Sequence, residues 1–198
     1  MNRRHFLRGS AGLAAASWSA VSFAKTACGP YFPNGVQRCE AGIDSRLAYI
    51  PTQAHSQWCW AASIAMVFGY YGPPVSQEDI VGNTWGSVVN MPAQPGQILA
   101  NLNRPWIDDY GRPFGVMGDV FSANPISAAQ DLAQDMPLII GTLGHAMVLT
   151  ALVYDRAMNG NGIVVAAIVR DHWQGRGRRV LSAPEWYQTN FLARIRVV

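Results

Sequence analysis

No charge block, internal repeat or long linker divides this chain, and neither sign of charge prevails once its first residues are set aside. Fifteen Lys and Arg stand against twelve Asp and Glu, but Arg3, Arg4 and Arg8 fall within the first 24 residues, which carry no acid. The remainder balances at zero net charge. It therefore lacks the basic surface that nucleic acid or an anionic membrane would call for. The weakly apolar run from Ala11 to Ala24 is too short to stay as a membrane-spanning helix. No pair among the four histidines and three cysteines has metal-ligand spacing, so neither a metal nor any other cofactor is expected.

What is present begins with a targeting pattern. Residues 1–24 combine a basic start, an alanine-rich apolar stretch and small residues at Ser22 and Ala24, three and one positions before the expected cut. Arg3-Arg4 followed by Phe6-Leu7 resembles a twin-arginine export signal. Residues 25–198 are then long enough for one domain with a sizeable core. The expectation is a periplasmic or secreted monomer with no stable membrane association after the signal is removed.

Export makes the three cysteines informative. An oxidising compartment favours bridges. Cys28 and Cys39 flank the turn-rich segment Gly29-Pro30-Tyr31-Phe32-Pro33-Asn34-Gly35, which suits a local disulfide. The cysteine left over is Cys59, and an unpaired thiol in an exported protein is a candidate reactive group. A bridge from Cys59 to Cys28 or Cys39 would remove that group, and the sequence leaves the connectivity open.

Cys59 sits where a thiol becomes nucleophilic. From Trp58 to Phe68 the chain is apolar almost all round, as in a buried helix, and Gly72-Pro73-Pro74 stops it. The first backbone N–H groups of a helix have no intrahelical partner, and its dipole is positive there. Both favour the thiolate. The N–H of Cys59 and a side-chain amide just upstream, from Gln53 or Gln57, could stabilise an oxyanion.

These residues resemble the papain-like cysteine peptidases. Gln53, five intervening residues and Cys59-Trp60-Ala61 match the spacing of that group. The string Gln57-Trp58-Cys59-Trp60-Ala61-Ala62-Ser63 is more specifically similar to the papain-like effector proteases of plant-pathogenic bacteria and related secreted proteins. The resemblance implies Gln53 as the oxyanion-hole side chain, and a chain order of cysteine, histidine, then Asp or Asn.

The second half of such a site lies in the C-terminal third. Residues 137–142, 145–154 and 163–170 read as apolar strands, the last two joined by the turn around Asn159-Gly160-Asn161-Gly162. A hairpin folding about residue 158 sets His145 opposite Asp171, within a distance at which a carboxylate holds an imidazole. His145 would act as base and Asp171 as its orienter. Gly144-His145-Ala146 resembles the histidine strand of papain-like enzymes. Asp171-His172-Trp173 resembles the Asp-Pro-Trp turn of bacteriocin-processing cysteine peptidases, with His172 in the proline position. His55 could line the cleft or cap a turn, and a structural role is expected for His172.

Between these halves, Ser76 caps a short helix to about Val81, and Pro95 to Leu102 forms another. Asn124-Pro125 opens a third, ended by Asp135-Met136-Pro137. Residues 103–124, rich in Gly and Pro, read as loops with one short strand. Pro184 to Tyr187 reads as a helical turn, and Phe191 to Val198 as a closing strand. The expected fold is α+β and papain-like: a helical lobe built on the Cys59 helix, packed on an antiparallel sheet lobe that carries His145 and Asp171. The expected activity is hydrolysis of peptide or protein substrates through a thioester. A cell-wall peptide amidase or transpeptidase would use the same groups, and a binding module with an inert Cys59 is the non-enzymatic alternative.

Overall fold

The computed structural model describes residues 25–44, 51–121 and 123–198, so the expected export signal lies outside the described residues. The chain enters as a hairpin of β1 (Lys25–Tyr31) and β2 (Val36–Gly42), then reaches helix α1 (Cys59–Tyr71). Two shorter helices follow, α2 (Gln77–Trp85) and α3 (Pro95–Asn101). Strands β3 (Pro105–Ile107) and β4 (Pro113–Phe121) lead to helix α4 (Pro125–Ala133). The remainder is β5 (Leu138–Thr142), β6 (His145–Ala157), β7 (Gly162–Asp171), β8 (Gly177–Val180), helix α5 (Ala183–Tyr187) and β9 (Thr189–Val197).

The helices start where their capping residues place them. Ser76 accepts from the N–H of Asp79, and Asn124 accepts from those of Ile126 and Ser127 with Pro125 in the first turn. Each such cap stabilises its helix by roughly 1 kcal/mol. Gly72 ends α1 with a positive φ of 117°.

Among the described residues the strands form a nine-stranded sheet, ordered β1-β2-β6-β5-β9-β4-β3, with β7 added to β6 and β8 to β7. Every pairing is antiparallel. Strand β6 organises it. Its first residues pair with β5, its later ones with β2, and β7 runs along it on the other side. The sheet is covered on both faces, which is why its central strands read as unbroken apolar runs rather than alternating ones. Ala146 and Val148 pack with Trp58, Ile64, Val67 and Phe68 of the α1 side. Met147 and Leu149 pack with Ala128, Ala129 and Leu132 of α4. Helices and a large antiparallel sheet together make this an α+β fold.

Two expectations need correction. The stretch 103–124 is not mostly loop. It contains β3 and the nine-residue β4, which pairs with β9 from Val116 to Phe121. The glycines that suggested loop serve close packing: a Cβ at Gly118 would stand 2.6 Å from the Cβ of Leu102. The second correction is the β6–β7 register. Val148 pairs with Arg170, so the strand continues with Asp171 opposite Met147 rather than His145. The turn is centred later than residue 158, and two irregularities, at Leu149–Ala151 and Val153–Tyr154, shift the ladder. An offset of two residues keeps Asp171 on the same face as His145, because side chains alternate with a period of two.

Candidate active site

The start of α1 is held from outside. The indole N–H of Trp58 donates to the carbonyl of Val89 at 2.9 Å, and that of Trp60 to Met91 at 3.1 Å. Both rings are buried. Asn90, between those carbonyls, accepts from the N–H of Gln57 at 3.0 Å and donates to Ser56 Oγ. Cys59 is therefore fixed as the first residue of the helix, with Trp58 before it making no side-chain cap. The N–H of Cys59 has no hydrogen-bond acceptor among the described residues.

His145 opens β6 immediately after a two-residue turn, Leu143-Gly144, in which both residues have positive φ, 51° and 75°. That geometry suits the twist of a tight hairpin and suits Gly144, whereas Leu143 carries strain there. His145 Nε2 lies 2.8 Å from Asp171 Oδ1. The nitrogen left for the thiol is Nδ1. Diagonal neighbours on one face of a sheet remain within reach of long side chains, so the shifted register still brings the two together.

Asp171 is buried and densely held. Oδ1 also accepts from the N–H of Trp173 at 3.0 Å, and Oδ2 from Arg179 Nε at 2.7 Å. Arg176, more than half exposed, stands 3.4 Å from Oδ2. Burial alone would raise the carboxyl's pKa, but these donors outweigh it and hold it far below the usual carboxylate range. Burial likewise disfavours the charged imidazole of His145. Its hydrogen bonds to Asp171 and to Cys59 win, and its pKa is pushed up to about 9. Burial pushes the Cys59 thiol up, yet hydrogen bonds from His145 and from the N–H groups of Ala146 and Trp60 leave it below the ordinary thiol value. The three shifts agree: they favour thiolate beside imidazolium beside carboxylate.

A cleft of about 240 Å³ opens beside these groups. Cys59, His145 and Gln57 line it, with Trp60, Ala93, Ile98, Ala146 and Phe191 as apolar wall and Asn190 as a further polar group. A larger cavity, about 370 Å³, lies along another side of α1 among Pro51, Met66, Tyr70 and Gln77. It contains neither thiol nor histidine, so the chemistry points to the smaller one.

The structure brings together Cys59, His145 and Asp171. Gln53 lies in the same loop, but its Nε2 donates to the carbonyls of His55 at 3.1 Å and Ser56 at 3.2 Å. His55 is exposed and stacks edge-on against Trp58. His172 is buried, and its Nδ1 donates to the carbonyl of Pro51 at 3.0 Å. Cys28 and Cys39 are joined in a disulfide across β1 and β2, which leaves Cys59 as the free cysteine. Among the described residues no group of three or more His, Cys, Asp and Glu gathers as metal ligands would. Sequence reasoning missed Arg179, Glu185 and Asn90. Only Arg179 left a trace, as part of the basic run Arg176, Arg178 and Arg179.

A half-buried cysteine on a helix N-terminus beside a histidine strand is the arrangement that a cysteine-nucleophile enzyme requires, and a family match makes this one a cysteine-type peptidase. The family model described as "Papain-like cysteine protease AvrRpt2" matches residues 44–191, well over half of the sequence, and the chain belongs to that family. No curated protein sequence matches the chain.

Proposed function

We propose that this cysteine peptidase cleaves peptide bonds through Cys59 as nucleophile, His145 as acid and base, and Asp171 as the group that orients the imidazole. The observation that carries the reading is the Asp171 Oδ1–His145 Nε2 contact at 2.8 Å, with Cys59 and His145 lining one cleft. The Cys59 thiolate attacks the scissile carbonyl carbon. The C–N bond then breaks as the His145 imidazolium protonates the leaving amine, giving a thioester. Neutral His145 next takes a proton from water, the hydroxide attacks the thioester carbon, and the thiolate leaves. Asp171 stays ionised throughout and stabilises each imidazolium.

The Cys59 N–H is one oxyanion donor in this proposal and Gln53 the second. Gln53 would exchange one of its two loop carbonyls for the oxyanion as the substrate binds, since catalytic hydrogen bonds often tighten only in the complex. The helical lobe of the papain-like arrangement corresponds to α1, α2 and α3, and the sheet lobe to the strands around β6. In this reading the enzyme is an exported monomer acting on peptides or proteins, and export to the periplasm or beyond the cell is supported by the Cys28–Cys39 disulfide, which persists in oxidising compartments.

A peptide-library digest tests the reaction. Cleavage by the wild type that is lost in Cys59→Ala supports it. Cleavage retained in Cys59→Ala would contradict it.

A further inference from the structure

The Asp171 carboxylate does not stand alone behind His145. Arg179, on β8, places Nε on Asp171 Oδ2 at 2.7 Å. The two remaining nitrogens of the same guanidinium grip Glu185, Nη2 on Oε1 at 2.7 Å and Nη1 on Oε2 at 3.1 Å. Nη2 also lies 3.3 Å from the sulfur of the buried Met147, so the planar group is wedged against β6. Glu185 is itself immobilised. It completes the capping box of α5, accepting from the N–H and the hydroxyl of Ser182 at 2.8 Å each. Its backbone carbonyl accepts from the hydroxyl of Thr142, the residue paired with His145 across the β5–β6 hairpin.

The first turn of α5 thus reaches His145 by two routes. The main chain of Glu185 holds the hairpin that presents the ring, and its side chain holds the arginine that holds the carboxylate. We infer that Arg179 is a positioning residue for the reacting set, fixed by Glu185, and that it aims the Asp171 carboxylate at His145. This rests on the proposed roles of Cys59, His145 and Asp171. The groups facing Asp171 are His145 from β6, Arg179 from β8, and Arg176 and the Trp173 N–H from the connecting turn. Of the two arginines, Arg176 is the longer and more exposed contact. A charge could also be supplied by lysine, but lysine's single ammonium cannot span both carboxylates in one plane.

The probe is iodoacetamide, with the rate of Cys59 alkylation followed from pH 4 to 10 in folded protein. In Arg179→Gln the carboxylate is free to turn from His145, the imidazolium is less well held, and the acidic limb of alkylation moves towards the ordinary thiol value. The rate at pH 6 is expected to fall roughly tenfold for each pH unit by which the acidic limb rises, since the thiolate fraction falls tenfold per unit. Arg179→Lys should recover only part of that loss. Glu185→Gln, which keeps the Asp171 contact and loosens its anchor, should show a smaller loss in the same direction, and it decides the matter if Arg179→Gln does not fold. An acidic limb unmoved in both Arg179→Gln and Glu185→Gln, or fully restored in Arg179→Lys, would overturn the inference. A wild type whose limb is that of an ordinary thiol and does not respond to His145→Ala would instead overturn the proposed roles of Cys59 and His145 themselves.

Discussion

The backbone N–H of Gln53 donates to the carbonyl of His172 at 3.0 Å, which ties the loop before the nucleophile to the residue that follows the Asp171 carboxylate. The His172 ring repeats the tie, its Nδ1–H donating to the carbonyl of Pro51. Two segments far apart in the chain are thereby stitched together.

The stitch is sensitive to acid. Burial disfavours the charged ring, and the His172 pKa is lowered to about 4. The unfolded chain takes up the proton near its ordinary value of about 6.5 and the folded one does not until about 4. The contribution to stability is therefore fully present above the ordinary value and is lost as pH falls towards 4. With each tenfold change in proton affinity equivalent to about 1.4 kcal/mol, it is on the order of 3 kcal/mol. His172→Asn keeps a donor for Pro51 and removes the titration. Denaturant unfolding from pH 4 to 7 should show a steeper loss in the wild type than in the variant. Parallel profiles would mean that His172 does not titrate with folding.

Gln53 and Gln57 make a separable pair. Losing an oxyanion donor costs roughly a hundred- to thousandfold in kcat. Gln53→Ala should lose activity on that scale, with thiol alkylation at Cys59 little changed, because the ion pair does not depend on it. Gln57→Ala should keep most of its kcat. Full activity in Gln53→Ala would reverse the assignment to Gln57, the one of the two that lines the cleft.

Leu143 is held in the left-handed region, φ 51°, with its side chain largely exposed. That conformation costs an ordinary L-residue about 1–2 kcal/mol, and asparagine tolerates it better. Leu143→Asn should raise the midpoint of denaturant unfolding, a gain on the order of 1 kcal/mol. An unchanged or lower midpoint would show that Leu143 makes compensating contacts.

That Cys59, His145 and Asp171 gather into one candidate site was legible in the sequence, because such groups stand out by residue type and neighbourhood. Cys59 stood out through its apolar helix and the glutamine before it. His145 stood out at the head of an apolar strand, and Asn124-Pro125 marked its helix start correctly. The register of β6 and β7 was not legible. Irregularities in a ladder leave no clear pattern in strands that are apolar on both faces, and only the preserved parity kept Asp171 on the right side. Strand β4 was hidden for a different reason. Its glycines look like loop, yet Gly118 lies where Leu102 leaves no room for a side chain. Arg179 and Glu185 were hidden because a long charged side chain on a short strand or a single helical turn reads as solvated surface, and nothing local says that it is turned inward.

The central claim is that Cys59 is a thiolate because His145 is protonated beside it. Burial opposes both charges, but His145 and the N–H groups of Ala146 and Trp60 lower the thiol, and Asp171 first and then Cys59 raise the imidazole to about 9. The ion pair forms as pH rises through the lowered thiol value and is lost as the imidazolium deprotonates near 9. Activity on a cleaved peptide should follow the same bell. The most direct measurement is the pH dependence of Cys59 alkylation by iodoacetamide in the oxidised protein, wild type against His145→Ala. One thiol should be alkylated rapidly at neutral pH, with an acidic limb well below the ordinary thiol value that is lost in His145→Ala. No accessible thiol, or an ordinary thiol profile that is the same in both proteins, would contradict the claim.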